Sequence, residues 1–131
     1  MKRPLALAAM LLVLGACERP EPLPEDPREA VGLAAETCRS GDLDRGIDML
    51  DRLMANPDAP SDGWAIRGLC LWQRFGRDSS QADVEQAYVD YTQAILAVEE
   101  DAAVSLDQLY AQRARIIEDA SPGDHQAALV D

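Results

Sequence analysis

Lysine is all but missing from this chain: Lys2 is its only lysine, His125 its only histidine, and aromatic residues make up 5% of 131 positions. With one imidazole available, general acid–base chemistry and histidine-rich metal centres have almost nothing to draw on. None of G-x-S-x-G, H-E-x-x-H, C-x-x-C or a glycine-rich phosphate loop occurs. The reading is therefore of a non-enzyme: no catalytic residues, no metal, no cofactor and no small-molecule substrate. Long apolar runs are absent too. The longest, Leu5 to Leu14, has ten residues, half of what a membrane-spanning helix needs.

That run sits in a recognisable setting. Lys2 and Arg3 precede it, and Gly15-Ala16-Cys17 follows it, the charged start, apolar middle and small-residue end of a secretion signal. Leu14-Gly15-Ala16-Cys17 resembles the lipobox of bacterial lipoproteins. The resemblance implies a signal peptide over residues 1–16 and a diacylglycerol on the Cys17 thiol. It further implies a lipid anchor in the cell membrane, facing the periplasm. Glu18, in place of Asp after the cysteine, implies sorting to the outer membrane under the rule of enteric bacteria.

Removing 16 residues from 131 leaves 115, enough for one small domain. Lys2 and Arg3 leave with the signal, so ten arginines face all 24 acids and the net charge is −14. Such a chain repels phosphate backbones, which excludes nucleic acid as a partner. Cys38 and Cys70 remain as a pair in an exported, oxidising setting, where the spacing allows either a disulfide or two buried thiols.

Residues 17–27 read as a tether. Glu18 to Asp26 is acidic and proline-rich, predicting an extended polyproline II segment reaching roughly 28 Å. Asp26, Pro27 and Glu29 then fit a helix start, as N-cap, first helical residue and capping-box partner. Beyond it the fold class is all-α. Breakers and caps predict helices over 28–40, 43–56, 61–74, 82–100, 105–120 and 124–131, with Gly41, Asn56-Pro57 and Ser121-Pro122-Gly123 as stops. Ser61 and Ser80 are predicted caps, and Ser105 with Gln108 a capping box. Asp44, Asp48 and Asp51 fall opposite the stripe of Ile47, Leu50, Leu53 and Met54. They read as a solvated face rather than, with Asp42, a metal site.

Trp64-x2-Arg67-Gly68-x2-Leu71, then Ala87-x3-Tyr91-x2-Ala94-Ile95, resembles the tetratricopeptide repeat, a 34-residue helical hairpin. Ala30, Leu33, Ala34 and Thr37 repeat the spacing one period earlier, and Tyr110, Arg113, Ala114 and Ile117 later, with Gly123-Asp124 and Ala128-Leu129 as the start of a final helix. Trp64 and Tyr110 stand 46 residues apart rather than 34, with seven of the extra residues in a turn around Phe75 to Gln81; longer-turned relatives of the repeat are the alternative. The resemblance covers about residues 28–131 and implies a short array of two to three hairpins.

The resemblance also implies a concave groove lined by the first helix of each hairpin. The inward positions are Arg28, Val31, Ala35 and Arg39, then Ala65, Leu69, Trp72 and Gln73, then Ala111, Arg115 and Glu118. Arg39, Leu69, Trp72, Gln73 and Arg115 are the candidate partner-binding residues, with Trp72 either an exposed anchor or extra core. It also sets Cys38 and Cys70 on neighbouring helices, implying a disulfide. The function expected is an envelope scaffold or assembly factor binding a protein or peptide. The alternatives are a small inhibitor of a basic envelope enzyme, or a thiol redox protein using Cys38 and Cys70.

Overall fold

The computed structural model describes residues 21–98 and 105–120, all the structure below rests on those residues, and they form helices without a strand. The five helices are α1 (Pro27–Arg39), α2 (Leu43–Met54), α3 (Asp62–Asp78), α4 (Gln81–Leu96) and α5 (Leu106–Ala120). Each packs on the next, and α1 also packs on α3, giving an all-α array of helical hairpins. Residues 1–20 lie outside the described part, with the expected signal segment, Cys17 and the first residues of the expected tether. So do residues 121–131, with His125 and the expected last helix.

Local chemistry accounts for the boundaries. Asp26 caps α1 by accepting from the Arg28 N–H at 3.0 Å, with Pro27 opening the helix. The return bond expected from Glu29 does not form; the Ala30 N–H bonds the Asp26 carbonyl instead. Gly41, at φ 97°, ends the helix. Its N–H bonds the Cys38 carbonyl at 3.0 Å and that of Asp42 bonds Thr37 at 3.2 Å, the paired bonds that need a left-handed residue. Ser105 and Gln108 exchange bonds of 3.3 Å at the start of α5.

Two boundaries depart from the sequence expectation. The helix placed at 61–74 runs on to Asp78, so the long turn around Phe75 to Gln81 shrinks to Ser79-Ser80. Ser79 turns left-handed at φ 56° and its N–H bonds Phe75 at 2.7 Å, a stop the serine does not advertise. The helix placed at 82–100 stops at Leu96. Neither Ser61 nor Ser80 bonds through its hydroxyl, and the Ser80 carbonyl takes the Asp83 and Val84 N–H groups instead.

The core runs the length of the array, from Ala30 and Ala34 through Leu50, Cys70 and Leu71 to Val84, Ala87, Tyr91 and Ile116. Tyr110, expected between hairpins, is instead 47% exposed, because Leu109 and Ile116 are the α5 residues turned inward. Close approach of α3 and α4 depends on Gly68. A Cβ there would meet the buried Tyr91 ring at 2.8 Å and the Ala87 carbonyl at 3.3 Å. Gly32 of α1 has nothing within 4 Å. Gly68→Ala is therefore expected to destabilise by about 1–3 kcal/mol, whereas Gly32→Ala should stabilise by about 0.5–1 kcal/mol. Thermal melts of the two variants check this, and a rise in both would contradict the packing at Gly68.

Candidate functional site

Charged residues spaced by seven organise one side of α3. Arg67 forks onto Asp90 of α4 at 2.7 and 2.8 Å and reaches Asp51 of α2 at 3.3 Å. Two turns on, Arg74 forks onto Asp83 at 2.7 Å on both arms and reaches Asp44 at 3.1 Å. Asp44 and Asp51, Arg67 and Arg74, Asp83 and Asp90 thus form two rungs across α2, α3 and α4. In each rung a guanidinium sits between two carboxylates. The Asp90 side chain is fully buried and that of Arg67 only 14% exposed, so water screens this pair little. Gln86 adds a bond of 3.0 Å to Asp90, and the Trp64 ring lies 5.2 Å from the Arg67 guanidinium.

These contacts move the titrations in consistent directions. Hydrogen bonds to Asp90 and Asp83 outweigh the opposing effect of burial and hold Arg67 and Arg74 further into their charged range. Burial raises the Asp51 carboxyl, with Arg67 opposing it. Burial also raises the Tyr91 phenol, helped by Asp90. At the end of α3 the Arg77 guanidinium bonds Asp78 at 2.7 Å and lowers its carboxyl. The face expected to be solvated at Asp44, Asp48 and Asp51 is exposed, and it also pairs: Asp44 and Asp51 close the rungs and Asp48 lies 3.4 Å from Arg52. Their seven-residue spacing was the available signal, and it becomes informative only when the matching arginines are set beside it.

The groove residues lie elsewhere on α3. At about 100° per residue, Leu69 and Trp72 point to the side opposite Arg67 and Arg74, and Gln73 lies beside Leu69, about 100° round the helix from Arg74. Leu69 is 38% exposed and Gln73 is exposed. Trp72 is half-buried against the core, and its indole N–H donates to Asp119 of α5 at 2.6 Å. It is thus a packing residue whose donor is occupied, the second of the two roles expected for it. Val31 and Ala65, expected in the groove, are buried.

Arg115 stands one turn before Asp119 on α5 and is exposed, with no ion pair among the described residues. Arg39 is exposed and pairs with Glu36 of its own helix. The Trp72–Asp119 bond joins α3 to α5, with Leu69 and Gln73 near it on α3 and Arg115 one turn from it on α5; no hydrogen bond or ion pair among the described residues links Arg115 or Arg39 to Leu69, Trp72 or Gln73. Another arginine, which the sequence places in the repeat pattern without a site role, lies between Tyr88 and Tyr110. The Arg113 guanidinium is 5.4 and 5.3 Å from their rings and donates to the Thr92 hydroxyl at 3.3 Å.

Cys38 and Cys70 are joined by a disulfide with a Cα separation of 5.9 Å, tying α1 to α3. Both half-cystines are buried, at 5% and 1% exposure. Among the described residues no group of three or more His, Cys, Asp or Glu side chains could hold a metal ion. No helix among them is long and apolar enough to cross a membrane. Family models, curated proteins and solved structures were all compared with the chain, and none matches it. The class the fold defines is an all-α array of helical hairpins.

Proposed function

We propose that the chain is a lipid-anchored, periplasm-facing scaffold or assembly factor that binds a protein or peptide through the outward face of α3 and the neighbouring flank of α5. The observation that carries the binding surface is the uncovered mid-helix position of Leu69, an exposed apolar side chain on the face turned away from α2 and α4. The exposed Arg115 supplies positive charge on the flanking helix in an otherwise acidic chain, which suits a segment with an acidic side chain or a free carboxylate. The Leu14-Gly15-Ala16-Cys17 sequence supports the anchor, and Glu18 after it supports the outer membrane as its place. Burial of both half-cystines weighs against thiol exchange with a second protein.

A photo-crosslinking amino acid at Leu69 should give one discrete adduct in intact cells, and the same residue at exposed Glu85 on α4 should give none. Leu69→Arg should weaken capture of that adduct's partner more than tenfold, about 1.4 kcal/mol, with the melting temperature almost unchanged. Equal adducts from both positions would refute the surface. Because the Trp72 indole is bonded to Asp119, Trp72→Ala is expected to lower the melting temperature as well as binding.

A further inference from the structure

The residues just before α1 are not free of the domain. Glu21 pairs through its carboxylate with Arg45 of α2, and its carbonyl accepts from Arg52 Nη1 at 2.8 Å. Leu23 is half-buried against the core. Residues 21–25 therefore lie as a strap over α2, and the extended tether expected over Glu18 to Asp26 is corrected for this part of its length. The strap crosses the outward side of α2. Arg45, Asp48 and Arg52 share one face of that helix, while Ile47, Leu50 and Leu53 on the other enter the core.

Three residues separate Cys17 from Glu21. However they are arranged, the four Cα–Cα steps span at most about 14 Å. A lipid on Cys17 is then held within that reach of the Arg45–Arg52 face, not at the end of a 28 Å spacer. Arg67 and Arg74 bond to α2 and α4 alike, so both helices lie behind α3 as seen from Leu69. We infer that the strap is an orienting clamp: it sets the outer face of α2 against the lipid surface and turns the Leu69–Gln73 face of α3 away from it. This rests on the reading of Cys17 as the lipid-attachment residue. The partner on the α2 side is the bilayer itself, reached through the anchor; the strap face carries acids as well as arginines, so anionic headgroups are not required.

The test uses the full-length lipidated protein in phosphatidylcholine vesicles containing an acceptor-labelled lipid. A donor dye is attached at Ala55→Cys, one turn past Arg52 on the strap side, or at Gln73→Cys, with the native disulfide kept. Energy transfer should be at least twofold stronger from position 55 than from position 73. Adding Leu23→Ser and Arg52→Ser, which release the strap, should bring the ratio close to one. A ratio near one in the unreleased protein, with flotation on vesicles intact, means a free tether and overturns the orientation alone. Failure to float, or an intact mass without acyl groups, overturns the anchor and the orientation with it.

Discussion

Asp90→Ala is expected to destabilise the protein by about 3–5 kcal/mol, because it strands a largely buried guanidinium after removing a fully buried partner. For a domain whose total stability is of order 5–15 kcal/mol, that is a large fraction. Asp83→Ala should cost less, since the Arg74 side chain is 24% exposed and water can replace its partner. Replacing both charges together, as Arg67→Met with Asp90→Leu, should recover most of the loss, because apolar side chains of similar volume need no counter-charge. Denaturant midpoints for the four proteins test this series. An Asp90→Ala variant within about 0.5 kcal/mol of the parent would mean that the pair behaves as a surface ion pair.

Reduction of the Cys38–Cys70 disulfide is expected to lower stability by roughly 3–4 kcal/mol, the loop-closure value for a separation of 32 residues. In a domain of this size that corresponds to a fall in melting temperature of more than about 12 °C. The link matters beyond its entropy. It joins α1 to α3, and without it the first hairpin holds to the second mainly through the α2 contacts and the two exposed carboxylates of the rungs. Scanning calorimetry with and without reductant gives the answer, with the Cys38→Ala and Cys70→Ala pair as the non-reducible reference. Equal melting temperatures would show that helix packing alone joins the hairpins.

Much of the fold can be read from local residues. Asp26-Pro27, Gly41 and the Ser105–Gln108 box each act within a few positions, so the chain shows where α1 and α5 begin and where α1 ends. Ser79 is different. A serine has no intrinsic preference for the left-handed conformation it adopts, and the extra turn of α3 carries Arg77, which finds Asp44 of α2 at 3.3 Å, a partner 33 positions away. The same limit hid the rungs: a run of acids at helical spacing is identical in sequence whether it faces water or a row of arginines 16 to 30 positions away.

The candidate surface divides along the same line. Helical periodicity alone places Leu69, Trp72 and Gln73 on one face of α3. Only the tertiary structure shows that α5 has claimed the Trp72 indole through Asp119, leaving Leu69 as the exposed apolar element. From the sequence by itself came the helical class, the main punctuation and the acidic balance, because each depends on neighbours in the chain; the Leu14-to-Cys17 resemblance to a lipobox is local in the same way and underlies the proposed anchor. Which carboxylates are paired, how Cys38 meets Cys70 and where Glu21 rests were decided by packing, because each depends on helices brought together from distant positions.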